Sequence, residues 1–342
     1  MGQRFIMRGI FILFFVIISC KSSIEKNVSE LNTKGMVFIK GGEFLMGADN
    51  EMAMRDEYPQ HLVKVNSFWM DESEVTVADF KKFVDATGYL TTAERSIDWD
   101  DLKQYLPLDT PKPHDSLLAP SSLVFNEIIT DNLNDFSLWW SLKKNVNWKR
   151  PHGKDIDINL ILNHPVTHVS WNDAVAYCKW IGKRLPTEAE FEYALRAGKS
   201  NTLFTWGNEG IDEGKIKLNI WQGDFPSKNT VDDEYYYTSP VKSFEKNSYG
   251  LHDISGNVWE WCSDWYHSEY YSMISNQLAD NPKGPNKSYD PSDPYSSKKV
   301  MRGGSFLCNE SYCMGYRNSM RMKNTPDSSS QHVGFRTVLD ID

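Results

Sequence analysis

The stretch Gly250-Leu-His-Asp-Ile-Ser-Gly-Asn-Val-Trp-Glu-Trp261 sets the character of the fold. Two carboxylates, Asp253 and Glu260, flank a turn, and tryptophans close the segment. Carbonyls of such a turn can face one point beside the carboxylates, which is hard-ion chemistry of the calcium type; a solvated turn is the alternative. Asn219, Asp233 and neighbouring carbonyls offer a similar set. Long stretches on either side, 95–155 and 265–297, are rich in Gly, Asn, Asp, Pro and aromatics. A domain built mainly from loops needs buried tryptophans or bound ions to fix its backbone.

Regular structure is sparse around that stretch. Thr76-Val-Ala-Asp79, Ser170-Trp-Asn-Asp173 and Thr187-Glu-Ala-Glu190 each predict a capped helix start. The apolar stripes that follow are Phe80, Phe83 and Val84; Trp171, Ala174, Val175 and Cys178; and Phe191, Ala194 and Leu195. Gly88 and Gly198 are the expected terminators of the first and third. All three read as surface helices packed on a core, with Cys178 a small buried hydrophobe. Strands are expected at 36–40, 61–68, 241–244, 300–301 and 334–338, and Met46-Gly47 as a turn between strands. No βαβ alternation and no internal repeat is present.

The sharpest chemical signal is Arg302-Gly-Gly-Ser-Phe-Leu-Cys308-Asn-Glu-Ser-Tyr-Cys313. It places two soft ligands close after a Gly-Gly pair that lets the backbone approach closely. The spacing is not that of a zinc ribbon or a thioredoxin-like motif, and no histidine cluster completes a tetrahedral zinc site. Two thiolates alone suit a low-coordinate soft ion, with Cu(I) the leading candidate; a local disulfide or two buried thiols is the alternative. No nucleophile elbow, phosphate-cradling glycine loop or Ser-His-Asp arrangement appears.

Arg4 and Arg8 precede the apolar run Ile10 to Ile18, which is too short for a bilayer span of about 20 residues. With Ile17-Ile18-Ser19-Cys20 it resembles a bacterial lipoprotein signal over 1–19, with Cys20 receiving lipid. The polar segment 20–34 reads as a flexible tether. The expected location is therefore outside the cytoplasm, anchored to a bacterial membrane and facing the periplasm or the cell surface. With 37 basic against 46 acidic residues and a formal charge of −9, the chain is a poor match for nucleic acid. Its composition, 40% hydrophobic with 12 Trp, 16 Tyr and 17 Phe, is that of a globular domain. Four cysteines after Cys20 (Cys178, Cys262, Cys308, Cys313) permit disulfides in an exported domain without requiring them.

Read in order, these motifs resemble the formylglycine-generating enzyme (sulfatase-modifying factor) family. The resemblance runs from Phe38-Ile-Lys-Gly-Gly-Glu-Phe-Leu-Met-Gly47 through Asp71-Glu-Ser-Glu-Val-Thr76 and His164-Pro-Val-Thr-His-Val-Ser-Trp-Asn-Asp-Ala174. It continues through Gly182-Lys-Arg-Leu-Pro-Thr-Glu-Ala-Glu190 and 250–261 to Arg302-Gly-Gly-Ser305 and Gly334-Phe-Arg336. It implies one α+β catalytic domain over 35–342, a loop-rich C-type-lectin-like variant with little regular secondary structure. It also implies a copper-dependent oxidase that converts the cysteine of a Cys-x-Pro-x-Arg motif in an unfolded, exported sulfatase to Cα-formylglycine, with O2 and a thiol reductant as co-substrates. Cys308 and Cys313 stand where the copper-binding pair stands, and Asn324-Thr-Pro-Asp-Ser-Ser-Ser330 resembles the tail of the active enzymes. Ser305 and Trp259 match positions near the oxygen pocket, with Tyr312 and Arg317 adjacent. The stretch from Trp139-Trp140 to Asn147-Trp148 resembles the region near the substrate groove.

One structural calcium position corresponds to Asp253, Gly256, Val258 and Glu260, and the other to Asn219, Ile220, Asp233 and Tyr235. Asp253 stands where asparagine is usual, and Tyr235 replaces a phenylalanine. The disulfide partners of the animal enzymes read Leu195, Asn318 and Thr337 here, so such bridges are expected to be absent and the protein a monomer. Cys262, in a packed motif, is expected to be inert. A non-catalytic lectin-like or assembly lipoprotein on the same scaffold is the alternative. An iron-dependent sulfoxide synthase wants a histidine facial site and an extra helical domain, and the sequence has neither.

Overall fold

The computed structural model describes residues 33–104, 106–130, 132 and 135–341. The signal, Cys20 and nearly all of the tether lie outside the described residues. Short sheets and helices alternate with long ordered loops, and Met36–Ile39, Phe68–Asp71 and Val338–Asp340 form one antiparallel sheet. Gly42–Met46 and His61–Val65 form a second sheet, with a parallel edge at Ala279–Asp280. A third orders Met322–Asn324, Lys299–Arg302, Trp259–Trp265 and Val333–Gly334. Ser121–Phe125 and Trp140–Lys144 pair as a hairpin inside the stretch that reads as loop. Short helices, Trp99–Lys103 and Tyr270–Ile274, also punctuate the two loop-rich stretches. Among the described residues no helix is long and apolar enough to cross a membrane.

The three predicted helices form where their caps place them, at Val77–Thr87, Trp171–Ile181 and Glu188–Arg196. Thr76, Ser170 and Thr187 each accept a backbone N–H with the side-chain oxygen, supplying a partner that the first turn lacks. Gly88 ends the first in the left-handed region, but Ala197, not Gly198, takes that place in the third. The third is also not a surface helix. Every residue in it but Glu190 is buried, with Ala189, Phe191, Ala194 and Leu195 packed on Ile39, Val63, Met70, Cys262 and Val338. Its buried charges are paired instead: Arg302 bonds Glu188 and Glu192, Arg321 bonds Glu188, and Arg196 bonds Glu192.

Three strand expectations need correction. Residues 61–68 are two strands broken at Asn66 and Ser67, because the chain crosses Gly41 there. A Cβ on Gly41 would sit 2.4 Å from the Val65 carbonyl oxygen, and its N–H bonds Ser67 Oγ. Residues 241–244 form a turn, since Lys242 sits at φ 67 and gives its N–H to the Asp253 carboxylate. Residues 334–338 split because Arg336 turns inward onto Glu260, at 2.7 and 2.8 Å. Met46 ends a strand, and only Gly47 begins the turn. Cys178, Cys262, Cys308 and Cys313 are all free and buried.

His168 ties the hairpin to the C-terminal tail. Its Nδ1 meets Ser122 Oγ at 2.8 Å, and Ser122 Oγ meets Ser329 Oγ at 2.8 Å. Its Nε2 lies 2.9 Å from the Pro151 carbonyl, which can only accept, so the ring is neutral with Nε2 protonated. Burial lowers its pKa to about 3. The unfolded chain then binds the extra proton below pH 6.5, and stability falls as pH drops from 6.5 toward 3. This group is expected to remove about 2 kcal/mol between pH 7 and 5. His168→Asn, which tolerates the left-handed φ of 58, should flatten that part of the pH dependence of the urea midpoint.

Candidate active site

The cysteine segment leaves the Lys299–Arg302 strand and folds as a run of tight turns. Cys308 N–H bonds the Ser305 carbonyl at 2.9 Å, and Cys313 N–H bonds the Asn309 carbonyl at 2.7 Å. This winding brings the two sulfurs to 2.9 Å from each other, both buried. Ser305 donates its backbone N–H to Cys308 Sγ at 3.4 Å, and its hydroxyl lies 4.0 Å from the same sulfur. Trp259, 1% exposed, walls the site from the strand below.

Burial works against a thiolate at Cys308. The hydrogen bonds from Cys313, from the Ser305 N–H and from the Gly315 N–H outweigh it and hold Cys308 below the ordinary thiol value. Cys313 is pushed well up, first by its bond to Cys308 and then by burial. Of the two, Cys308 is therefore the sulfur favoured as thiolate, and Cys313 the one that holds its proton more tightly. Cys178 and Cys262 differ: burial pushes both up and outweighs what opposes it, which fits a buried hydrophobe at Cys178 and an unreactive thiol at Cys262.

Gly315 was not singled out in the sequence reading, and the site cannot be built without it. A Cβ there would stand 2.4 Å from the Trp259 ring and 2.7 Å from Cys308 Sγ. Its signal, a glycine two residues past the second cysteine, becomes readable only once the turn is known. Tyr312 stacks on Phe225 at 4.6 Å and meets Trp139 edge-on at 5.6 Å, so Trp139 does lie beside the pair. Arg317 points away from the sulfurs into a buried bidentate bridge with Glu57, at 2.6 and 2.8 Å.

The two sulfurs are a soft donor set of the kind Cu(I) takes. Among the described residues no three His, Cys, Asp or Glu side chains group as a metal site, so a hard ion would combine single carboxylate oxygens with amide and carbonyl oxygens. Asn219 Oδ1 and Asp253 Oδ1 are buried without a hydrogen-bond partner, as oxygens awaiting such an ion would be. Asp233 accepts from Gln222 and from the Tyr235 N–H, and lies beside the Ile220 N–H. Val258 and Gly256 are buried in the adjoining turn, but both Glu260 carboxylate oxygens accept from Arg336. Glu74, missed in the sequence, joins Asp253 and Glu260 here, its Oε2 without a partner. Burial and the two neighbouring carboxylates push Glu74 well up, so three carboxylates face one guanidinium. Asn257 links the Asn219 and Asp253 loops, donating to Glu74 and accepting from Ser239 N–H and Asn219 Nδ2.

The chain matches the sulfatase-modifying factor enzyme 1-like domain over residues 21–341. It belongs to that family. It is 44% identical to the formylglycine-generating enzyme of Mus musculus over 313 residues, covering 89% of this chain and 75% of that protein. To the formylglycine-generating enzyme of Streptomyces coelicolor it is 43% identical, covering 91% of each chain. The structure of PvdO from Pseudomonas aeruginosa superimposes with a TM-score of 0.59 at 22% identity, covering 90% of this chain and 94% of the other, a likeness of fold alone.

Gly315→Ala forces either the Trp259 ring or Cys308 to move, an overpacking that costs about 1–3 kcal/mol. Under a mild oxidant the native chain is expected to form the Cys308–Cys313 disulfide and leave Cys178 and Cys262 reduced. In the alanine variant that bond should form at least several-fold more slowly, as read by peptide mapping.

Proposed function

We propose that this protein oxidises a cysteine of an unfolded sulfatase to Cα-formylglycine, acting on a Cys-x-Pro-x-Arg motif outside the cytoplasm. The observation that carries the reading is the buried pair of sulfurs, 2.9 Å apart, with the Ser305 N–H donated to one of them and the aromatic cluster around Tyr312 alongside. A purely structural cysteine pair gains nothing from backbone N–H donors aimed at one sulfur. Relatives named for formylglycine generation support the same conclusion.

Cys308 and Cys313 hold Cu(I) in this reading. The bound ion supplies a site where the substrate thiol and O2 meet and where one-electron chemistry is accessible. The chain's own residues do the rest. The N–H groups of Ser305 and Gly315 favour Cys308 as the thiolate, and Cys313 would give up its proton to complete the donor pair. Trp259 and the packed backbone of Gly315 exclude water from the buried side, and the Ser305 hydroxyl is a hydrogen-bond donor at its edge. Overall, the substrate CH2–SH group and O2 take up two electrons and two protons from a thiol reductant. The products are the aldehyde, hydrogen sulfide and water.

Calcium at Asn219, Ile220, Asp233 and Tyr235, and at Asp253, Gly256, Val258 and Glu260, stiffens the loops that carry Trp259 and Trp221 and takes no part in the chemistry. The chain works as a monomer held to a bacterial membrane by lipid on Cys20.

A Cys-x-Pro-x-Arg peptide incubated with the protein, Cu(I), O2 and a thiol should lose the mass that separates CH2SH from CHO. The change should vanish in Cys308→Ser and in Cys313→Ser; a fully active double variant overturns the reading. A calcium chelator should lower the thermal midpoint of the native chain by several degrees. Asp253→Ala should largely remove that sensitivity, while an unchanged midpoint in both argues against calcium.

A further inference from the structure

Beside the cysteine site lies a cavity of about 220 Å3 that the chemistry above leaves unused. Trp148, Tyr236, Tyr237 and Phe306 line it, and His152 stacks on the Tyr237 ring at 4.0 Å. Gln331 also lines it. That residue is 3% exposed, and neither its amide oxygen nor its amide nitrogen has a partner among the described residues. Leaving a buried polar group unmet costs about 1–3 kcal/mol. A carboxamide open at both atoms is complemented by another amide, which offers one donor and one acceptor side by side.

One residue of the cysteine segment, Phe306, forms part of the cavity wall. Phe306 follows Ser305 directly and belongs to the same aromatic cluster as Trp139, Trp221 and Phe225, which surrounds Tyr312. On the other side, His332 follows Gln331 and packs on Trp140 at 4.8 Å. The wall of the cavity is thus packed through one aromatic cluster against Tyr312, the neighbour of Cys313 in the chain. Burial keeps His152 and His164 below their ordinary values, so these parts of the wall are uncharged at neutral pH.

We infer that the cavity is a second anchoring subsite for the polypeptide substrate. It takes one aromatic side chain from outside the Cys-x-Pro-x-Arg motif, while Gln331 pairs with the peptide group beside it. The inference rests on the reading of the chain as an enzyme acting on unfolded polypeptide. An unfolded chain offers a peptide group at every residue, so an amide-pairing subsite demands little beyond the one ring. Aromatic pairs add about 0.5–1.5 kcal/mol beyond the area they bury.

The test uses fluorescence anisotropy with labelled peptides in which serine replaces the target cysteine, so that no chemistry intervenes. A single phenylalanine is walked through alanine flanks on both sides of the motif. One flanking position should tighten binding about fivefold to tenfold, equivalent to about 1 kcal/mol. Gln331→Leu and Tyr237→Ala should each abolish that gain yet bind the short motif peptide as the native chain does, which also shows that they are folded. No responsive position, or a gain that survives both variants, overturns the subsite and leaves the cavity to water. Aldehyde formation is measured separately. If a variant-sensitive gain occurs without aldehyde, the subsite stands and the oxidase reading falls; aldehyde without any gain is the reverse.

Discussion

Arg302 holds the structure together at the point where it matters most. Its guanidinium is fully buried, bonded to Glu192 at 2.7 Å and to Glu188 at 3.2 Å on the central helix. The two terminal nitrogens also donate to the carbonyls of Asn318 and Ser319, at 2.6 and 3.2 Å, and Nε has no partner among the described residues. One side chain therefore closes the loop that carries both cysteines and fastens it to a helix. Removing a single partner from such a network strands a buried charge, so it contributes to the uniqueness of this loop more than to net stability. Arg317 on Glu57 and Arg321 on Glu188 repeat the device within the same segment.

Loops dominate this domain because buried ion pairs and indoles replace extended ladders. Arg336 on Glu260 pins the turn after Gly250 to the C-terminal strand, and Trp261 donates its indole N–H to the Val169 carbonyl. The same economy explains where charge is left over. Glu74, Asp253 and Glu260 converge on one arginine, burial pushes all three toward their neutral forms, and two of their oxygens lack partners.

The four cysteines illustrate how little residue type says about reactivity. Cys178 and Cys262 sit among apolar side chains, and burial alone sets their chemistry. Cys308 is just as buried, yet backbone N–H groups and its neighbour reverse the outcome. A few ångströms of backbone placement separate a thiol that burial keeps protonated from one that backbone donors favour as thiolate.

The sequence by itself determined the helix starts through local grammar, while its resemblance to the family carried the architecture and the placing of Cys308 with Cys313. A cap needs only its own first turn, and two thiols with four residues between them can be brought together by local turns. It did not reveal that the Glu188–Arg196 helix is interior, since its Glu and Arg residues read as a solvent face until partners from residues 302 and 321 are known. Nor did it show the break at Asn66, the turn at Lys242, or the roles of Glu74, Gly315 and Gln331. Each of these depends on an atom from a distant part of the chain: Gly41 against Val65, the Asp253 carboxylate, Trp259 over Gly315. Only the tertiary structure decided them, because a contact between remote segments leaves no period or spacing in either one.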